Sequence, residues 1–180
     1  MRVITGSARG RKLKTPSGYD VRPTTDSVKE AIFNIIQSDI EGRRVLDLFA
    51  GTGQMGIEAL SRGAESAVFV DNDAESLKIV KENLSICGFK ASAVKTDALS
   101  YIENCGKFDV IFIDPPYDSG VYEDVIRKIN LFDILNDGGI ITVECRKEKN
   151  LPDMESPYRR LKEYCYGKIK IVTYTKDNIL

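Results

Sequence analysis

Short apolar runs alternate with longer amphipathic segments along most of the chain. Five of these runs predict buried strands: RVLDLFA at 44–50, SAVFVD at 66–71, ASAVKTD at 91–97, FDVIFID at 108–114 and GGIITVEC at 138–145. The segments between them have a helical repeat, and one of these places Leu77, Val80, Leu84 and Cys87 on a single stripe before a stop at Gly88. Strands that alternate with helices over short connections predict right-handed βαβ units and a mostly parallel sheet.

The two ends of the chain have patterns of their own. The alternating stretches RVIT and RKLK flank GSARG, which predicts an N-terminal β-hairpin with a loose loop. The stretch RPTTDSVKEAIFNII then predicts a lead-in helix over 25–37 with a threonine cap and an apolar face. The final segment, YRRLKEYCYGKIKIVTYT, predicts two antiparallel strands around Gly167.

Together these elements predict a Rossmann-like α/β fold. We expect a mostly parallel, seven-stranded sheet with an antiparallel C-terminal hairpin, extended by the N-terminal β-hairpin. The expected units are a hairpin arm over residues 1–22 and a main domain over 23–180 that includes the lead-in helix. A chain of 180 residues is long enough for one domain with a sizeable core.

The composition limits the chemistry that the chain can perform. Hydrophobic residues make up 42% of it and charged residues 29%, which is ordinary for a globular protein. No apolar run approaches the ~20 residues of a membrane span, and the N-terminus has no apolar signal segment, so we expect a cytoplasmic location. Histidine is absent and the four cysteines form no CxxC pair, so neither zinc, disulfides nor a histidine-based nucleophile is expected. The cysteines are expected to be small buried residues.

Basic residues are concentrated at the N-terminus, although the net charge of the whole chain is only −1. Within residues 1–22, Asp20 is the single acid, and it stands against six basic residues: Arg2, Arg9, Arg11, Lys12, Lys14 and Arg22. A basic arm on an acidic body suggests an anionic partner. Charge alone leaves a second interpretation open, in which the arm is a solvated terminus without a partner.

The first predicted strand leads into a glycine-rich loop. Gly51, Gly53 and Gly56 complete a G-x-G-x-x-G pattern, which by itself suits any ligand group that approaches the backbone closely. Asp47 precedes this loop, where its charge would repel the pyrophosphate of a dinucleotide but suits the ammonium and sulfonium of S-adenosylmethionine. The loop therefore favours S-adenosylmethionine over NAD.

Two further acids end the second and third predicted strands. Asp71 would accept hydrogen bonds from ribose hydroxyls, which indicates an adenosine without choosing between the two cofactors. Asp97 would accept the adenine amino group, with the Ala98 amide near the ring, or it would cap the following helix instead. Phe49 is expected either in the core or near the methionine moiety. The candidate donor site also includes the neighbouring residues Thr52 and Asn72.

The fourth predicted strand ends in Asp-Pro-Pro-Tyr. It should lie beside the first strand, so that Asp114 faces the methyl group of the donor. The Asp114 carboxylate and the Pro115 carbonyl, fixed in direction by Pro115 and Pro116, would accept hydrogen bonds from an aromatic amino group and stabilise its developing positive charge. Tyr117 offers a ring on which a base would stack, worth ~1–3 kcal/mol. The loop is typical of amino-group methylation; the simpler alternative is that the prolines only end a strand.

Four stretches together resemble one enzyme family: RPTTDSVKEAIFNII, VLDLFAGTGQMGIEALSRGA, IFIDPPY and YGKIKIVTY. They are similar to the RsmD-type methyltransferases, bacterial enzymes that methylate N2 of one guanine in 16S ribosomal RNA. The similarity runs from the N-terminus to Tyr174. It implies the class I methyltransferase fold, S-adenosylmethionine as methyl donor without a metal, and an assembled or partly assembled small ribosomal subunit as substrate. We expect a monomer.

The resemblance also gives the basic arm a role. RNA phosphates would be held by Arg9, Arg11, Lys12 and Arg22, and Arg22 with Thr24 would touch a nucleotide flipped from its helix. The Asp-Pro-Pro-Tyr loop is also compatible with other methyl acceptors, namely an amino group of DNA adenine or cytosine and a protein glutamine. An alternative of another class is a ribosome-assembly factor that binds a nucleotide without catalysis.

Overall fold

The computed structural model describes residues 1–16, 26–116 and 119–177. Within this part of the chain seven strands form one sheet in the order β3-β2-β1-β4-β5-β7-β6. Their bounds are β1 Arg44–Asp47, β2 Ser66–Asp71, β3 Ser92–Lys95, β4 Phe108–Ile113, β5 Leu135–Arg146, β6 Tyr158–Tyr166 and β7 Ile169–Lys176. The first five strands pair in parallel, whereas β7 is antiparallel to both β5 and β6. The predicted parallel sheet with an antiparallel C-terminal hairpin is therefore confirmed.

Helices connect the parallel strands, as the alternating pattern predicted. The described helices are α1 Asp26–Ile35, α2 Gln54–Ser61, α3 Ala74–Cys87, α4 Ala98–Asn104 and α5 Tyr122–Phe132. Gly88 ends α3 in a left-handed conformation, at the place expected from the sequence. Across the described ranges, no helix combines the length and the apolar character that crossing a membrane requires.

The lead-in helix and β5 differ in extent from their predictions. A helix is predicted over 25–37, but α1 ends at Ile35 and a short 3-10 turn, Gln37–Asp39, follows it. The strand predicted at 138–145 begins earlier, at Leu135, because an irregularity in the register next to Phe108 lets this segment pair with β4. The early start of β5 depends on this tertiary pairing and not on the local residue pattern.

The core occupies both faces of the sheet. In β4, Val110 and Phe112 belong to the cluster on one face, and Ile111 and Ile113 belong to the cluster on the other. The first cluster includes residues of α1, α2 and α3, and the second includes residues of α4 and α5. Because both faces are buried, the central strands read as continuous apolar runs.

The N-terminal segment docks on the first face as a short hairpin. Arg2 and Lys12 form an isolated antiparallel bridge, and Val3 bonds through its backbone to residues 10 and 11. Val3, Ala8 and Leu13 are buried in the first core cluster. For residues 1–16 the structure favours a docked hairpin over a solvated terminus. The division into an arm over 1–22 and a domain over 23–180 stays a prediction, since residues 17–25 lie outside the described part.

A buried acid on α2 anchors this hairpin. Glu58 is fully buried and accepts hydrogen bonds from the Ile4 and Thr5 amides at 2.8 and 3.0 Å. It also forms ion pairs with Lys29 at 3.6 Å and with Arg62 at 2.9 Å. Burial lowers the pKa of Lys29, and the charge of Glu58 opposes that shift. One buried carboxylate thus anchors the first residues of the hairpin.

The four cysteines differ in burial. Cys145 is buried, Cys87 and Cys105 are half-buried, and all four thiols are free. Cys165 is exposed on β6, the outermost strand of the sheet. The expectation of a small buried residue is therefore wrong for Cys165, because most side chains of β6 are exposed.

Candidate active site

The glycine loop crosses the carboxyl end of β1 on its way to α2. Gly51 and Gly53 have φ angles of 52° and 78°, left-handed conformations that glycine adopts without strain. Gly56 has a different role, because a Cβ there would overlap the Phe69 ring. Its missing side chain lets α2 pack closely against β2. Gly51 and Gly53 therefore determine the conformation of the loop, and Gly56 determines how closely the start of α2 packs against β2.

Asp47 supports this loop from inside the protein. Its carboxylate accepts a hydrogen bond from the Gly56 amide at 3.0 Å, and the residue is only 3% exposed. Burial, with a smaller contribution from the charge of Asp71, raises the pKa of Asp47 to about 7 against the opposing effect of the Gly56 hydrogen bond. A positive ligand on the loop would favour the ionised carboxylate, and a role of Asp47 in binding such a ligand stays a prediction.

Asp71, at the end of β2, holds the other side of the loop. One of its oxygens accepts a hydrogen bond from the Gly51 amide at 2.8 Å, and the other accepts one from the Asp73 amide at 2.9 Å. A carboxylate has about four lone-pair sites, so both oxygens retain capacity for ribose hydroxyls. Asn72, the next residue, is exposed at the same edge of the sheet.

Asp97 is the N-cap of α4. Its Oδ1 accepts a hydrogen bond from the Ser100 amide at 2.9 Å, and hydrogen bonds from the Ser100 hydroxyl and amide lower the pKa of Asp97. Ala98 begins the helix and is buried. The capping role that the sequence left open is thus present in the structure. Since Asp97 is exposed, an additional bond to an adenine amino group stays a prediction.

Phe49 and Thr52 lie at opposite ends of the loop. Phe49 is half-buried and packs against the second core cluster. The Thr52 hydroxyl lies 3.4 Å from the Met1 sulfur, and the Thr52 carbonyl accepts a hydrogen bond from Asn83 at 2.9 Å. Thr52 therefore joins the loop to the hairpin and to α3, which the sequence did not indicate.

Asp114 emerges next to the glycine loop. Asp47 on β1 is level with Phe112 on β4, and the Leu48 amide donates to the Phe112 carbonyl at 3.2 Å. Asp114 follows two residues later and is half-buried at the same edge of the sheet. The predicted pairing of the first and fourth strands is therefore confirmed.

The proline loop continues from Asp114. Pro115 is buried, while Pro116 is exposed and its carbonyl accepts a hydrogen bond from the Ser119 amide at 2.9 Å. Tyr117 lies outside the described residues, as do Arg22 and Thr24. No group of His, Cys, Asp and Glu side chains within the described ranges is arranged to hold a metal ion.

Two buried groups near Asp114 were not anticipated from the sequence. Glu144 on β5 is 3% exposed, and together with Asp114 and Thr142 it lines a cavity of about 10 Å³, enough for about one water molecule. Tyr122, at the start of α5, is buried; its pKa is raised by burial and, to a smaller extent, by the charge of Asp114. An acid inside the apolar run IITVEC was the available signal for Glu144. Tyr122 resembles any core aromatic residue on a helix.

Comparison with known proteins identifies the family. The model of the family described as "Conserved hypothetical protein 95" matches residues 1–175. The chain belongs to this family. The match confirms the RsmD resemblance, because the chain is 34% identical to "Ribosomal RNA small subunit methyltransferase D" of Escherichia coli K12, over 98% of this chain and 90% of that protein.

Two further relatives support membership of the RsmD family. The chain is 40% identical to "Putative rRNA methyltransferase YlbH" of Bacillus subtilis, over 98% of this chain and 99% of that protein. The solved structure of "Putative methyltransferase yhhF from Escherichia coli" superposes with a TM-score of 0.88 at 34% identity, covering 98% of each chain. This likeness confirms the predicted fold class, the Rossmann-like sheet of class I methyltransferases.

Proposed function

We propose that this RsmD-family chain transfers a methyl group from S-adenosylmethionine to the exocyclic N2 of a guanine in 16S ribosomal RNA. The observation that carries the proposal is the register of β1 and β4, which brings the glycine loop and Asp114 to one edge of the sheet. A donor on the loop and an amine at Asp114 would meet across adjacent strands. Ribosomal RNA as substrate is supported by the name of the E. coli relative.

The donor site uses the acids at the ends of β1, β2 and β3. Asp71 accepts hydrogen bonds from the ribose hydroxyls and Asp97 accepts one from the adenine amino group. Asp47 lies beneath the loop and attracts the cationic methionine end of the donor. A dinucleotide fits less well, since its pyrophosphate would approach a loop whose Gly51 and Gly56 amides are bonded to carboxylates.

The reaction is a single displacement at the methyl carbon. The N2 lone pair forms a bond to this carbon while the carbon–sulfur bond breaks, and its electron pair returns to sulfur as S-adenosylhomocysteine. The positive charge moves to nitrogen and is lost when one N–H proton leaves to solvent. The Asp114 carboxylate and the Pro115 carbonyl accept the two N–H groups, and this stabilises the charge as it develops. Positioning of the two reactants contributes up to roughly 7–11 kcal/mol.

The hairpin provides the contact with RNA. Arg9, Arg11 and Lys12 are exposed on it, and none of the three forms an ion pair with another described residue. Exposed cations of this kind neutralise phosphates and release counterions, which gives affinity without sequence preference. Flipping the guanine out of its helix costs a few kcal/mol. Arg22, Thr24 and Tyr117 keep their predicted roles at the flipped nucleotide.

A labelling experiment tests the proposal. Small ribosomal subunits from cells lacking this protein are incubated with the purified chain and S-adenosylmethionine labelled in its methyl group. After digestion of the RNA, the label should appear as N2-methylguanosine from 16S RNA. Label in another nucleoside, label in ribosomal protein, or no incorporation would contradict the proposal.

A further inference from the structure

Asn83 on α3 joins the hairpin to the glycine loop. Its side chain is fully buried and bonds to three backbone groups. Oδ1 accepts a hydrogen bond from the Lys14 amide at 2.7 Å, while Nδ2 donates to the Lys14 carbonyl at 3.1 Å and to the Thr52 carbonyl at 2.9 Å. One amide group therefore connects Lys14, near the end of the hairpin, with the residue between Gly51 and Gly53.

The hairpin reaches Thr52 by a second route. The Thr52 hydroxyl donates to the Met1 sulfur at 3.4 Å, and the Met1 carbonyl accepts a hydrogen bond from the Leu13 amide at 3.2 Å. Both ends of the hairpin are thus linked to Thr52, directly through Met1 and through Asn83 from Lys14. The hairpin therefore contacts the Gly51–Gly53 turn at Thr52.

The chemistry of Asn83 is unusual for its position. Leu77, Val80 and Leu84 of the same helix are buried in the first core cluster, where an apolar side chain packs without needing partners. Asparagine is also a poor residue for a helix interior. The hydrogen bonds of its buried amide go to the hairpin and to the glycine loop. The role of Asn83 is therefore to connect these two segments and not to stabilise α3.

We propose that Asn83 is a positioning residue for the methyl donor. It holds the Thr52 carbonyl, and with it the Gly51–Gly53 turn, in the place set by the docked hairpin. This inference rests on the donor site described under the proposed function. Because linkage between two ligands is reciprocal, RNA that stabilises the docked hairpin and donor bound at the loop raise each other's affinity by the same factor.

Three substitutions separate positioning from simple stabilisation. Asn83→Ala removes the connection, and Leu13→Ala loosens the hairpin beside Lys14 while it leaves Asn83 in place. Ser61→Ala is the matched control, since the buried Ser61 hydroxyl also bonds to the hairpin backbone, at 2.6 and 3.0 Å, but to no residue of the glycine loop. Donor affinity is measured by calorimetry without RNA, and stability is measured by urea unfolding.

We expect Asn83→Ala and Leu13→Ala to weaken donor binding by about ten-fold, and Ser61→Ala by less than about two-fold, although all three lower the unfolding midpoint. The double variant Asn83→Ala/Leu13→Ala should lose less affinity than the product of the two single losses, because both changes loosen the same attachment of the hairpin to Thr52. Addition of small ribosomal subunits should raise donor affinity in the wild type and leave that of Asn83→Ala unchanged.

Equal losses of affinity in all three variants would overturn the inference, because they would reflect stability alone. Losses that multiply in the double variant would also overturn it. If Asn83→Ala does not fold, the comparison of Leu13→Ala with Ser61→Ala decides the question. A wild-type protein that binds no donor would instead overturn the proposed function.

Discussion

Asp47 and Gly56 connect the end of β1 to the first turn of α2 through one buried hydrogen bond of 3.0 Å. A larger residue cannot replace Gly56 in α2 without a shift of its neighbours, because the Phe69 ring occupies the space of a Cβ. The acid that the sequence offers as a ligand-facing charge is therefore also part of the scaffold of the loop. Its protonation state should influence both the stability of the fold and the binding of a cationic donor.

The first prediction concerns stability against pH. The pKa of Asp47 is raised from 3.8 to about 7, so the folded protein holds a proton over this range that the unfolded chain has lost. The contribution of Asp47 to the free energy of unfolding therefore falls as the pH rises through the same range. In urea unfolding, wild type should lose more stability over this window than Asp47→Asn, which keeps an oxygen for the Gly56 amide. Parallel pH profiles would contradict this reasoning.

The second prediction concerns protons released on donor binding. A cationic donor favours the ionised form of Asp47, so binding near pH 7 should lower its pKa and release protons. Calorimetric titrations with S-adenosylmethionine in two buffers of different ionisation enthalpy should therefore give different heats. Asp47→Asn should give heats that differ much less between the buffers. A wild-type heat that is independent of the buffer would show that Asp47 does not change its protonation.

The third prediction separates catalysis from donor binding. Asp114→Ala should lower the methylation rate by at least about 10²-fold, because it removes an acceptor that stabilises the developing charge. Donor affinity measured by calorimetry should stay close to that of wild type. Asp109→Ala is the control, since Asp109 lies on the same strand but bonds to the Arg44 amide and the Asn136 side chain. Loss of donor binding in Asp114→Ala would give Asp114 a different role.

The fourth prediction concerns the anchor of the hairpin. Glu58→Ala leaves Lys29 without its buried partner and removes the acceptor for the Ile4 and Thr5 amides, so the free energy of unfolding should fall by about 3–5 kcal/mol. Glu82→Ala removes an exposed ion pair with Lys14 and should cost less than about 1 kcal/mol. Urea unfolding measures both changes. Similar small losses in the two variants would show that the buried carboxylate does not anchor the hairpin.

The fifth prediction concerns RNA binding by the hairpin. Arg11→Ala/Lys12→Ala should weaken RNA binding and reduce the slope of log affinity against log salt by about 0.7–0.9 for each phosphate that the hairpin no longer neutralises. The control, Arg127→Ala/Lys128→Ala, removes two positive charges from α5, on the opposite face of the sheet, where Lys128 forms an ion pair with Glu103. Filter binding at several salt concentrations measures the slope. If both pairs change the slope equally, the hairpin has no special role.

Much of the fold could be predicted from the sequence because the central strands are buried on two faces. Runs such as FDVIFID have no polar alternation, and the loops between strands and helices contain glycine at the turns. The same logic placed Asp71 and Asp114 at the ends of strands. The early start of β5 was not predictable, since it depends on a pairing irregularity next to Phe108.

The polar groups that connect the hairpin to the domain could not be predicted. Glu58 and Asn83 occur in helices where acids and amides usually face solvent, and nothing local indicates that they are buried. Their partners, Ile4 and Lys14, are distant along the chain, so only the folded structure brings them together. The same applies to Glu144, whose relation to Asp114 depends on the pairing of β4 and β5.

The central claim is that this chain methylates a guanine of 16S ribosomal RNA, and mass spectrometry of that RNA tests it most directly. RNA from cells lacking the protein should be missing one N2-methylguanosine, which returns when the wild-type chain is supplied and does not return with Asp114→Ala. A full set of methylated guanines in cells without the protein would contradict the claim.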